Sequence, residues 1–252
     1  MFGLHWQPEV RQVRKALADG EQPEVHYGQR LLDSINSISS DRIGVLLRHS
    51  VRDHIPRDQV GGDDDVRLTP LGHTEARRFG RKLRSGFNLI VSYSPVPRCV
   101  ETAKEILAGY SDSGSTNVMD AGTEDFLAVL RYFTKDQEAM NSYKKTIGGR
   151  RFLREWLDNT LPSDMMESSQ AVKQLFIQNI TRELKRGQAP LLRIWVGHDY
   201  GFIVVRELIL GGRFEEDSWM PYLDGLVLAV GSGDATGSVA SSDPVSIDSR
   251  FV

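Results

Sequence analysis

Short apolar runs recur along this chain, each bounded by turn residues and each too short for a buried helix. They are Ile43-Gly44-Val45-Leu46-Leu47, Leu89-Ile90-Val91, Leu191 to Val196 and Gly225 to Val230. We read them as strands of one buried sheet. The segments between them space their apolar residues in threes and fours, as amphipathic helices do. This holds for Leu71 to Leu83, for a helix opening at Pro97, and for Val172 to Leu184. It also holds across 124–186, with Phe126, Leu127, Val129, Leu130, Phe133, Phe152, Leu153, Trp156 and Leu157. Two further amphipathic helices, Val10 to Leu17 and Tyr27 to Ile38, precede the first strand. Alternating strands and helices predict an α/β protein: a three-layer α/β/α sandwich around a mostly parallel central sheet. The expected organisation is an N-terminal helical extension over 1–40 and a single domain over 41–252, with a small helical cap at about 124–186. Gly231 to Ser242 reads as a loop or hairpin.

Charged and reactive residues stand just beyond these apolar runs. The first run ends in Arg48-His49-Ser50-Val51-Arg52, the second in Ser92-Tyr93-Ser94-Pro95-Val96-Pro97-Arg98, and the third in Gly197-His198-Asp199. Open α/β sheets bind ligands at the C-terminal ends of their strands, so these residues converge on one place. Arg98 falls in the first turn of its helix, where backbone N–H groups also favour anions.

In this order the motifs resemble the histidine phosphatase superfamily, with its phosphoglycerate mutase-like fold. Glu101-Thr102-Ala103 and Leu68-Thr69-Pro70-Leu71-Gly72 add to the likeness, which spans about residues 43 to 210. Arg52 and the His198-Asp199 pair lean toward the acid phosphatase and phytase-like branch. Two features depart from that branch: Ser50 stands where a glycine is usual, and the chain is short, with one cysteine.

The resemblance implies a phosphatase that hydrolyses phosphate monoesters through a phosphohistidine on His49. Arg48, Arg52 and Arg98 would hold the phosphoryl oxygens, and their guanidiniums would keep the imidazole neutral. His198 would be the second imidazole and Asp199 the general acid, with Glu124 the candidate if the mutase-like branch is followed. His54 is close enough in sequence to contact substrate, although a solvated loop position explains it equally well. Two other readings stay open: a phosphomutase of the same superfamily, and a non-catalytic module that binds a phosphorylated ligand.

Composition narrows the partners. Lys and Arg total 31 against 34 Asp and Glu, a net charge of −3, which gives no global field for nucleic acid. The cluster Lys144, Lys145, Arg150, Arg151 and Arg154 reads as a solvated helix face in preference to a basic rim for a polyanionic ester. Nothing approaches a run of about 18 apolar residues, so no membrane span is expected. Met1 to Ala18 lacks a secretory h-region, and Cys99 is the sole cysteine, so a cytoplasmic location is expected. The Asp63-Asp64-Asp65 run suits a solvated loop better than a metal site. With no His-Glu-x-x-His, Cys-x-x-Cys or Gly-Lys-Ser/Thr motif, neither metal nor cofactor is expected. The partner would be a small-molecule or protein phosphate ester, and the oligomeric state is left open.

Overall fold

The computed structural model describes residues 26–53, 65–211, 213–214, 219–230, 235–239 and 245–246. Val10 to Leu17, His54 and most of the aspartate run lie outside the described residues. The elements are α1 (Gln29–Ser37), β1 (Arg42–Arg48), α2 (Pro70–Lys82), β2 (Asn88–Tyr93), α3 (Pro97–Asp112) and β3 (Val118–Thr123). A 3-10 turn (Asp125–Leu127) leads to α4 (Val129–Tyr132), α5 (Gln137–Ile147), α6 (Gly149–Leu157) and α7 (Ser169–Arg186). The chain closes with β4 (Leu191–Gly197), α8 (Asp199–Leu210), β5 (Gly225–Val230), β6 (Ala235–Val239) and β7 (Val245–Ser246).

The strands form one sheet in the order β3-β2-β4-β1-β5-β6-β7. Strands β3, β2, β4 and β1 run parallel. The sheet is extended on the β1 side by three antiparallel strands, so it is mixed in direction. The cause lies in the chain before β5. Residues 219–224 stay at the C-terminal end of β1, where Arg48 N–H donates to Asp224 O at 2.9 Å, so β5 must enter the sheet from that end.

Alternation along the strands splits the core in two. On one face Ile43, Val45, Leu47, Leu89, Val91, Leu192, Ile194 and Val196 pack with α1, α2 and α3. Leu31, Leu32 and Ile35 of α1 are fully buried there, so this part of the expected extension belongs to the helical layer. On the other face Leu46, Leu191, Trp195, Leu226 and Leu228 pack with α7 and α8. Phe126, Leu127, Phe133, Met140, Phe152, Leu153 and Trp156 join that same cluster, so the apolar positions of the 124–157 interval serve packing.

Strand β3 is absent from the hydrophobic pattern because it is an edge strand: Met119, Asp120, Ala121 and Thr123 are exposed. The helix starts reflect local chemistry. Thr69 caps α2 by accepting from Gly72 N–H at 3.0 Å, and Pro70 and Pro97 occupy first-turn positions of α2 and α3. Helices α2 and α3 cross very closely at Gly80, where an added Cβ would lie 2.2 Å from Ile106 O.

Candidate active site

Register brings the two histidines together. Parallel β1 and β4 pair with Arg48 opposite Gly197, so the next residues, His49 and His198, leave the sheet side by side. Their rings lie 5.5 Å apart, edge to face. Strand β2 pairs with β4 through Tyr93 and Val196, which delivers Ser94 beside His198. From the first turn of α3, Arg98 reaches both imidazoles: its Nε donates to His49 Nε2 at 3.2 Å, and its Nη2 lies 3.3 Å from His198 Nδ1.

These contacts fix the tautomers. His49 Nδ1 lies 2.8 Å from the Ser50 carbonyl, which can only accept, so Nδ1 carries the proton and Nε2 the lone pair. His198 Nδ1 faces a guanidinium that can only donate, so its proton sits on Nε2, directed at Ser94 Oγ 3.1 Å away. Both rings are held neutral. Burial pushes His49 well below the usual imidazole range, and Arg98, Arg48 and His198 push the same way. Burial and then Arg98 take His198 down to about 3. Burial drives the neighbouring Cys99 thiol up to about 12, so it is an inert packing group here.

The loop after β1 is tied to the start of α2. Ser50 N–H donates to Thr102 Oγ1 at 3.0 Å, Ser50 Oγ donates to Gly72 O at 2.7 Å, and Arg52 bridges Leu68. Gly72 has no room for a side chain: a Cβ would stand 2.1 Å from Val51 O. The Leu-Thr-x-x-Gly motif is thereby a backbone contact beneath the nucleophile candidate.

The arginines surround His49, and two of them retain buried N–H groups. Arg48 donates through Nη2 to Asp199 Oδ2 at 2.9 Å and through Nη1 to the Met220 carbonyl. Arg52 Nη1 donates to Asp53 O at 2.7 Å. Among the described residues, Arg48 Nε and Arg52 Nε are buried with no acceptor. Burial lowers the Arg52 pKa from its ordinary value, with Arg98 and Arg48 acting in the same direction against Tyr222 and Asp199. A pocket with this charge and these open donors suits an anion.

Asp199 is engaged differently from a proton donor. Burial alone would raise its carboxyl, but Arg48, the Trp219 indole N–H at 2.6 Å and the Tyr200 backbone N–H at 2.9 Å outweigh burial and hold it below the usual range. In this arrangement it is an ionised anchor for Arg48. Glu124 stands at the C-terminal end of β3, its N–H donating to Tyr93 O at 2.8 Å, at the same end of the sheet as both histidines. In the basic cluster, Arg151 pairs with Glu155 at 2.8 Å, Arg154 with Glu207 at 2.7 Å, and Lys144 lies over the Tyr200 ring. Those partners fit a helix face better than a rim for polyanions. Among the described residues no cluster of three metal-ligating side chains occurs, and no helix is long and apolar enough to cross a membrane.

Two contributors escape sequence reasoning altogether. Trp219 orients Asp199, and Tyr222 lies against both Arg48 and His49. Both precede β5 in an irregular segment with no motif; the one available signal is the density of aromatics in Trp219-Met220-Pro221-Tyr222.

A mixed α/β sandwich thus brings two histidines and three arginines together at its strand ends. The chain carries the fold of the histidine phosphatase superfamily, and residues 45–121 match the model of the histidine phosphatase superfamily (branch 1). That match spans less than half of the chain and stops before His198. The match gives no support to the acid phosphatase and phytase-like branch suggested by Arg52 and His198-Asp199, and it does not reach that His-Asp pair.

Solved structures with this fold include Bacillus stearothermophilus YhfR, 15% identical with a TM-score of 0.53, covering 78% of this chain and 95% of that one. Entamoeba histolytica phosphoserine phosphatase, in complex with 3-phosphoglyceric acid, is 15% identical with a TM-score of 0.51, covering 83% and 98%. Mycobacterial glucosyl-3-phosphoglycerate phosphatase, in complex with VO3, is 18% identical with a TM-score of 0.51, covering 80% and 100%. At such identities the likeness is one of fold. No curated protein sequence matches the chain.

Proposed function

We propose that this protein is a phosphomonoesterase that works without a cofactor through a phosphohistidine on His49. The observation that carries this reading is the state of His49: a buried, neutral imidazole whose lone pair on Nε2 accepts from Arg98, with Arg48 also close enough to act on it. Anion-binding arginines explain a binding site, but they do not require a neutral nucleophile with its proton parked on a carbonyl. The solved relatives named as phosphatases are consistent with the reading.

In the proposed sequence, His49 Nε2 forms a bond to phosphorus as the bond to the ester oxygen breaks. Arg98 gives up its contact with Nε2 to the phosphoryl oxygens, and Arg48 Nε and Arg52 Nε supply further donors. His198 lies within reach of the same oxygens. The leaving alkoxide takes a proton from a carboxylic acid. We assign that acid to Glu124, because Asp199 is committed as a carboxylate to Arg48 and Trp219. Water then attacks phosphorus, the resulting carboxylate takes its proton, and His49 and inorganic phosphate are released.

The test is p-nitrophenol release from p-nitrophenyl phosphate in EDTA, comparing wild type with His49→Ala, together with trapping of an acid-labile phosphoryl-enzyme. Turnover and trapping that both vanish in the variant are expected. Equal turnover in the variant would sink the assignment. Phosphate binding without turnover would favour the binding module, and phosphate release that needs an acceptor would favour the mutase.

A further inference from the structure

Arg48 and His49 meet around a residue that no motif announces. The guanidinium carbon of Arg48 sits 4.5 Å from the centre of the Tyr222 ring. The His49 ring lies 5.6 Å from it, tilted by 46°. Tyr27 packs against the same ring edge-on at 6.3 Å, and Tyr27 is itself buried, with its N–H donating to Glu75 Oε2 at 3.0 Å. Tyr222 is thus a supported wall.

Arg48 shows what that wall does. Its two Nη atoms are taken by Asp199 and by the Met220 carbonyl, and both contacts are made at the outer edge of the guanidinium. Those contacts hold the far end of the group, and the packing around it adds to what sets the tilt of its plane. The Tyr222 ring, 4.5 Å from the guanidinium carbon, limits that tilt, and a cation over an aromatic face is attractive as well. The direction of Arg48 Nε, the buried N–H without an acceptor, is set by that plane.

We infer that Tyr222 is a positioning residue of the phosphate pocket: acting through Arg48, its ring turns the guanidinium so that Nε meets a phosphoryl oxygen. The inference rests on the phosphomonoesterase reading of the site.

The experiment is a titration of the full-length protein with inorganic phosphate by calorimetry. It uses wild type, Tyr222→Phe, Tyr222→Leu, Arg48→Met and the double variant Arg48→Met/Tyr222→Leu, each checked for folding by circular dichroism. Tyr222→Met replaces Tyr222→Leu if the latter does not fold. Tyr222→Phe keeps the ring and is expected within about twofold of wild type, whereas Tyr222→Leu weakens binding about tenfold. In the Arg48→Met background, removing the ring has no further effect, because the group it acts through is gone. Equal losses in both backgrounds, or no loss in Tyr222→Leu, overturn the role of Tyr222 while leaving the phosphatase reading intact. A folded wild type that neither binds phosphate nor hydrolyses p-nitrophenyl phosphate overturns both.

Discussion

His49 and Asp199 are both defined by which of their atoms are already occupied. A carboxylate held by a guanidinium and an indole N–H cannot readily offer a proton, so the two acidic candidates separate by experiment. An alkyl phosphate needs general-acid help that p-nitrophenyl phosphate, with its good leaving group, does not. Glu124→Gln is expected to slow an alkyl ester about 10²-fold or more and p-nitrophenyl phosphate far less. Asp199→Asn is expected to slow both alike, by loosening Arg48. The reverse pattern in steady-state kinetics would return the acid to Asp199. The pH profile is set by the same chemistry. With His49 held well below the usual imidazole value of 6.5, kcat/KM corrected for substrate ionisation shows no acid limb at that pH. A limb near 6.5 in His49-dependent turnover would contradict the burial and charge around it.

Among the elements, the strand ends and the start of α2 form one backbone contact beneath His49. Gly72→Ala places a Cβ 2.1 Å from Val51 O, so the helix start must move off the loop that holds Ser50. The expected cost is about 1–3 kcal/mol by urea denaturation. The folded fraction should also turn over more slowly, since Ser50 Oγ donates to the Gly72 carbonyl itself. A stable variant with unchanged turnover would show that the contact is dispensable. The helical pattern of Leu71 to Leu83 is readable from spacing and the Leu-Thr-x-x-Gly motif from the family resemblance, but the steric reason for Gly72 lies in a residue more than twenty positions away.

Across the protein as a whole, burying two neutral histidines beside arginines couples folding to pH. Both have folded-state pKa values below the unfolded value of 6.5, so the unfolded chain binds more protons in acid. Their contribution to stability is complete above about 6.5 and is lost as pH falls, by up to about 1.4 kcal/mol per unit for each ring. For His198 the loss continues down to about pH 3. Thermal melts from pH 7 to 4 should show this fall in wild type, and a smaller one in folded His198→Gln. Identical slopes would mean that the ring is not held neutral.

The order of residues was enough to specify the buried strands, because a fully buried strand must be an apolar run. That Arg48, His49, Arg98 and His198 stand just beyond those strands was legible from the same pattern, as was helix α2 from its proline and periodicity and the start of α3 from Pro97. The exposed edge strand β3 could not, since neither of its faces needs an apolar pattern. Nor could the antiparallel entry of β5, which depends on where residues 219–224 cross the sheet. It took the folded arrangement to decide that β4 inserts between β1 and β2, that His198 therefore stands beside His49, and that Asp199 is spent on Arg48. Tyr222 belongs to the same class: its importance comes from what lies against its ring, and contacts across more than 170 residues leave no trace in local sequence.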